Sequence, residues 1–155
     1  MKMFDLINNI EKNCILEIRG KRYEVLAKVL YVTETETKNW YAKIQLQNHH
    51  VLVISPYDDF MYFGYVAEPL NYSFPTPDII KFNDKIFKKD ADDYQMVKEF
   101  IFGNYLEMEG EVQFSDFSNE NDIISLGIIT RTSKRADVIA SVVDLKDIKL
   151  FKNEI

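Results

Sequence analysis

Along most of this chain apolar residues recur at every second position, the period of a strand with one covered face. The exception comes first. Met3, Leu6, Ile7 and Ile10 fall at helical spacing with Asp5, Asn8, Asn9 and Glu11 between them, which predicts a short amphipathic helix over residues 2 to 12 that caps a sheet. From Cys14 the period is two: Leu16 and Ile18 share a face before the turn Arg19-Gly20-Lys21-Arg22, and Tyr23, Val25, Ala27, Val29 and Tyr31 share a face of the next strand. Because the other face of that strand carries Leu26, Leu30 and Val32, it is expected to be central and covered on both sides. Thr33 to Asn39 is polar throughout and reads as a solvated loop or a frayed strand end. The next alternation puts Trp40, Ala42, Ile44 and Leu46 inward and Tyr41, Lys43, Gln45 and Gln47 outward, and Asn48-His49-His50 turns the chain into the apolar run Val51 to Ile54.

Residues 55 to 78 change character, with Tyr57, Phe60, Tyr62, Phe63, Tyr65, Tyr72 and Phe74 set among prolines 56, 69, 75 and 77. Proline excludes a regular helix or central strand over its neighbourhood, so a strand near 60 to 67 followed by an extended connector is predicted. Ile79 to Phe87 has the form of a hairpin turning at Asn83-Asp84, two residues that tolerate positive φ. Asp90-Ala91-Asp92-Asp93 reads as a loop, and strands are expected near 94 to 102, 105 to 115, 122 to 131, 136 to 143 and 148 to 151. Strands this dense predict a mainly β chain: an antiparallel sandwich or barrel-like set of meanders with a short N-terminal helix.

Composition narrows the class. A chain of 155 residues, 46% hydrophobic, buries most of its unfolded surface in one core, so residues 1 to 155 are expected to form a single domain. No run approaches the roughly 18 apolar residues of a membrane span, and no apolar leader segment follows Met1, which together predict a cytoplasmic protein without membrane insertion. The formal charge of −6 opposes binding to nucleic acid, which needs phosphate neutralisation by Lys and Arg. Abundant Ile, Lys, Asn, Phe and Tyr with only 5 Gly is the signature of an AT-rich coding sequence, pointing to a low-GC bacterium or its phage.

The two halves of the chain follow one outline. Leu16 to Tyr23 matches Ile80 to Phe87 in the pattern apolar, x, apolar, turn, Lys, x, aromatic; Trp40 to Leu46 matches Leu106 to Phe114, and Val51 to Ile54 matches Ile123 to Ile129. Half-repeats over 15 to 65 and 79 to 150 are one explanation, and the shared pattern of any two hairpin meanders is the other. Through Gly20-Lys21-Arg22-Tyr23, Trp40 to Leu46, Val51 to Ile54 and Phe82 to Phe87, the chain also resembles a family of small β-rich bacterial domains of unknown function built from two strand-meander halves. That resemblance implies a fold class and no activity.

Candidate chemistry is sparse. Cys14, beside Ile15 and Leu16, reads as a small buried hydrophobe before it reads as a nucleophile. His49 and His50 are adjacent, so on a strand they point to opposite faces and do not readily share a metal; a solvated hairpin tip accounts for them. The frame opened by Asp90, Asp92 and Asp93 lacks the glycine and terminal glutamate of a calcium loop. Glu107, Glu109 and Glu111 share a strand face, where consecutive like charges remain ionised instead of supplying a general acid. Arg131, Lys134 and Arg135 form a short basic turn that could meet a phosphate or an acidic partner, but a solvated turn is the leading explanation, since three charges without a nearby aromatic are ordinary. No phosphate loop, dinucleotide motif or nucleophile elbow is present, and no cofactor is expected.

The aromatic stretch is the remaining feature. Alternation sets Phe60, Tyr62 and Gly64 against Met61, Phe63 and Tyr65; the rings either bury a strand on both faces or leave Tyr57, Phe60, Tyr62 and Tyr65 as a surface for a protein partner or small ligand. A non-catalytic binding or accessory module is the leading reading. The alternatives are a phage-type acidic inhibitor or nucleic-acid mimic, and an enzyme using carboxylates from separate strands.

Overall fold

In the computed structural model, which describes residues 2 to 103 and 110 to 152, a single helix precedes an antiparallel barrel. Helix α1 spans Met3–Asn9. The strands are β1 (Ile15–Ile18), β2 (Lys21–Thr33), β3 (Tyr41–Leu46), β4 (His50–Ser55), β5 (Phe60–Val66), β6 (Ile79–Phe82), β7 (Lys85–Phe102), β8 (Val112–Asn119), β9 (Asp122–Ile129), β10 (Val138–Val142) and β11 (Ile148–Phe151). Eight of them, in the order β2-β3-β4-β5-β10-β9-β8-β7, close on themselves because β7 also pairs with β2. Closure removes the free edges that a sheet of this size would otherwise expose.

The two longest strands make closure geometrically feasible. β2 gives Lys21–Glu24 to β1 and Lys28–Thr33 to β7, and β7 gives Lys85–Lys88 to β6, Lys88–Gln95 to β8 and Gln95–Phe102 to β2. Register shifts at Lys28/Val29 and Leu30/Tyr31 in β2, and at Lys89/Ala91 in β7, are the irregularities at which long strands bend and twist. Each half of the chain runs as a two-residue turn, Arg19-Gly20 or Asn83-Asp84 with both residues at positive φ, leading into a four-stranded meander. Like strands meet at both seams, β2 with β7 and β5 with β10, all antiparallel. Gly64 sits at the second seam, where a Cβ would collide with the Ile139 carbonyl and the Ala140 backbone, so only glycine allows β5 and β10 to approach this closely.

The hydrophobic core lies mostly outside the barrel wall. Ala42, Ile44 and Leu46 of β3, Leu52 and Ile54 of β4 and Met61 of β5 point outward, where Leu6, Ile7 and Ile10 cover them together with Leu16, Ile18 and Ile148 of the flanking strands. The opposite outer wall, Phe87, Phe117, Ile124 and Leu126, is covered by β6 and by Leu70, Tyr72 and Phe74 of the connector. Alternation therefore sends Tyr41, Lys43 and Gln45, the side of β3 expected to meet solvent, into the barrel. Trp40 is half-buried, while Ile44, Val53, Val112 and Leu126 are buried; Met108 lies outside the described residues. The acidic stretch Asp90 to Asp93 is not a loop but the middle of β7, since a bulge and hydrogen bonds to Ser115 and Thr35 accommodate its charges within a strand. The helix is shorter than 2 to 12, ending where Lys28 intervenes.

Lys28 is buried on β2 and donates from Nζ to the carbonyl oxygens of Ile7 (2.8 Å) and Ile10 (2.7 Å). These are among the carbonyls that a helix leaves unpaired at its C-terminal end, so the ammonium both satisfies them and meets the negative end of the helix dipole. Desolvation holds its pKa below the usual lysine value, against the nearby charge of Glu11. Across the barrel, the carboxylate of Asp137 fixes the connector. Its Oδ2 accepts from Leu70 N–H and Arg135 Nη2, its Oδ1 from Gly127 N–H and Arg135 Nε, and Arg135 Nη1 reaches the Tyr72 carbonyl. Arg135, read as part of a basic turn, is thus half-buried in a structural ion pair.

Candidate functional site

Inside the barrel the two ends differ. At one end Val51, Ile123 and Ala140 fill the interior, and Val29 with Ala27 completes an apolar floor. Toward the other end the same inward phase turns polar: Thr33 follows Tyr31 on β2, Ser55 follows Val53 on β4, and Ser125 and Gly127 follow Ile123 on β9. Small and polar side chains leave a cavity of about 320 Å³, walled by all eight barrel strands. Interiors of eight-stranded barrels are just wide enough to be filled by side chains or to hold one small ligand. This space equals the share of liquid taken by about ten waters.

The wall presents an ordered set of polar groups. Tyr41 donates from its hydroxyl to Gln95 Oε1 at 2.6 Å, and Gln95 itself is buried. The Tyr41 ring stacks on fully buried Tyr31, centroids 5.9 Å apart, and the Lys43 ammonium lies 5.4 Å over the Tyr31 ring, a cation–π geometry. Asp116, on β8, is half-buried and lines the cavity. Ser125 Oγ donates to its Oδ1 at 2.6 Å, and among the described residues Oδ2 carries no hydrogen bond. Desolvation, aided by the charges of Asp90 and Asp92, pushes the Asp116 carboxyl above the usual aspartate range, against the Ser125 hydrogen bond and the attraction of Lys43.

Asp93 behaves in the opposite way. Burial pushes its carboxyl up, but hydrogen bonds from the Thr35 hydroxyl and the Tyr94 N–H, with further ones from Thr33 and Thr35, outweigh burial and hold it below the usual range. Ala91 lies opposite Asp116 in the β7–β8 register, which makes Asp93 and Asp116 diagonal neighbours on one wall of the cavity. One carboxyl of this pair is kept ionised and the other is inclined to hold its proton.

The four residues of the aromatic stretch fall in three places. Phe60 and Tyr62 line the cavity, Phe60 partly open at its mouth and Tyr62 buried. Tyr57 is exposed and packs edge-on against Phe4 (5.2 Å) and Trp40 (5.7 Å) on the outside of the barrel. Tyr65 lies on the outer face of β5 beside His50, whose ring stacks on Phe63. Cys14 is buried in the outer core, and His49 occupies the β3–β4 turn at φ 61° while His50 begins β4. Glu107 and Glu109 lie outside the described residues. Among the described residues no cluster of metal-ligating side chains occurs, and no helix is long and apolar enough to cross a membrane.

Sequence reading passed over Lys43, Gln95, Asp116 and Ser125, and weighed Asp93 only within a calcium-loop frame. A signal was present: Ser125 and Gly127 interrupt the apolar run Ile123 to Ile129, and polar residues in one phase of consecutive strands mark either a wet outer face or a polar interior. Comparison with protein-family models, curated proteins and solved structures found no match to this chain.

Proposed function

We propose that this chain is a non-catalytic binding module that takes one small molecule into the open end of its barrel. One observation carries the reading: the barrel is apolar on its covered outside and polar inside toward one end. A barrel interior that serves only as core fills with branched apolar side chains, whereas this one places Tyr41, Lys43, Gln95, Asp116 and Ser125 around a space of ligand size. Of the aromatic candidates, Phe60 and Tyr62 belong to this site, and Tyr57 and Tyr65 do not. The test is a protein-observed NMR titration with a mixed set of neutral, cationic and anionic fragments. Shifts at Gly127, Ser125, Asp116 and Gln95 support the reading; binding confined to the outer faces near Tyr57 or Tyr65, or no binding at all, overturns it. A Ser55→Phe variant, which fills the mouth, should lose the shifts.

A second reading is favoured by the Asp93 and Asp116 pair. Two carboxyls on neighbouring strands, one kept ionised and one inclined to stay protonated, are the pairing that acid–base hydrolysis uses. Turnover of a panel of activated aryl glycosides and esters that disappears in both Asp93→Asn and Asp116→Asn would favour this reading over simple binding.

A further inference from the structure

Three features of the cavity wall define what would complement it. The first is Asp116, which lines the cavity with one oxygen engaged by Ser125 and the other carrying no hydrogen bond among the described residues, where a carboxylate can accept several more. The second is the balance of charge among the described lining residues: ionised Asp93 and the carboxyl of Asp116 stand against Lys43, and Asp90 and Asp92 act on Asp116 from the neighbouring strand β7. Low-dielectric walls concentrate such a field, and the formal charge of −6 on the whole chain adds to it. The third is the ring content: Tyr41, Phe60, Tyr62 and Phe114 line the cavity, aromatic surface that suits a compact apolar body or a cation.

We infer that the ligand of this cavity is a small organic cation, a primary amine or amidine on a compact apolar or aromatic body, with its charge on the Asp116 carboxylate. The inference rests on the reading of the cavity as a binding site and names its ligand class. On the described wall an anion would face Asp93 and Asp116, with Lys43 already held over the Tyr31 ring, and a neutral molecule would leave Asp116 Oδ2 with at most one neutral hydrogen bond. A cation supplies what desolvation withholds, a counter-charge that makes ionisation of Asp116 favourable. Binding is therefore coupled to release of the Asp116 proton, and affinity rises with pH through the titration of that carboxyl. This titration is set by desolvation, the Ser125 hydrogen bond, Lys43 from β3 and Asp90 and Asp92 from β7; Tyr41 from β3, Tyr62 from β5 and Asp93 from β7 also line the cavity, and among the described residues β2, β4, β9 and β10 contribute only uncharged side chains to the wall.

The experiment compares four probes of one size, benzylamine, benzamidine, benzyl alcohol and benzoate, by isothermal titration and NMR on the full chain and on Asp116→Asn. The two cations are expected to bind at least tenfold tighter than benzyl alcohol, to release a proton in buffers of different ionisation enthalpy, and to lose at least tenfold in Asp116→Asn. That variant should melt no lower than the parent, which separates loss of the counter-ion from loss of the fold. If benzyl alcohol or benzoate shifts Ser125 and Gly127 as strongly as the cations do, the cavity is a binding site and the cationic class is wrong. If no probe shifts the lining residues, both the class and the underlying reading fail. Equal affinity of benzylamine for parent and variant would remove Asp116 from the site.

Discussion

Replacing Asp137 by leucine tests the element that holds the cavity wall and the connector in place. Asp137 is fully buried, and its two oxygens accept four hydrogen bonds at 2.8 to 3.1 Å, two from Arg135 and two from the backbone N–H groups of Leu70 and Gly127. Leucine keeps the branched outline and is bulkier, so no cavity opens; the loss is that of the charge and its hydrogen bonds, with some crowding added. It leaves a half-buried guanidinium without its counter-ion and two backbone donors without partners. Breaking one side of a buried pair costs about 3 to 5 kcal/mol, most of it the penalty of the group left behind. At the 2 to 4 °C per kcal/mol typical of chains of this length, the midpoint should fall by roughly 6 to 20 °C. Urea unfolding followed by the fluorescence of the single tryptophan, Trp40, measures the change, since that ring is half-buried against Phe4 and Tyr57. The double variant Arg135→Met with Asp137→Leu removes the stranded charge and should recover part of the loss. A cost below about 1 kcal/mol for Asp137→Leu, or a double variant no more stable than the single one, would refute the argument that this buried pair governs the wall.

Three further outcomes follow from the same geometry. Lys28→Met retains the aliphatic stem but strands the Ile7 and Ile10 carbonyls, and should cost about 2 to 3 kcal/mol in urea unfolding. Asp116 holds its proton more tightly folded than unfolded, so its contribution is complete in acid and is lost as pH rises from the ordinary aspartate range through the raised folded value; Asp116→Asn should match the parent in acid and exceed it at neutral pH by thermal melting. Tyr62→Ser empties part of the barrel and should cost about 3 kcal/mol or more, whereas Tyr57→Ser loses two edge-on ring contacts at the surface and should cost about 1 to 2 kcal/mol in the same assay.

The strand pattern was legible because alternation is a local property. Leu52 and Ile54, or Ile124 and Leu126, declare a covered face within a few residues, and the turns Arg19-Gly20 and Asn83-Asp84 declare hairpins by their tolerance of positive φ. What alternation does not carry is the sign of curvature. Tyr41, Lys43 and Gln45 would look the same on the wet outside of a sandwich and on the inside of a barrel. The choice was made elsewhere, by α1 and the connector covering the apolar outer faces and by β7 reaching β2 to close the ring. The merging of the 85 to 87 hairpin strand with 94 to 102 into one β7 was hidden for a related reason, since Asp92 and Asp93 are stabilised within a strand by Ser115, Lys89 and Thr35, partners distant in sequence or carried by a bulge.

The inverted polarity also explains why the candidate site and the aromatic candidates only partly coincide. Tyrosines on a strand were judged by whether a partner surface could use them, and β5 divides them by phase: Phe60 and Tyr62 fall inward with Gly64, Tyr65 outward with Met61 and Phe63. The inward pair became functional candidates only because their neighbours across the ring, Asp116 and Ser125 on strands far along the chain, leave space and charge in front of them. A helix on the outside can bury apolar area without filling the centre. In this molecule α1 and the connector supply the hydrophobic stabilisation that a filled barrel would draw from its interior, which frees the inner wall near the mouth to carry Lys43, Gln95 and Asp116.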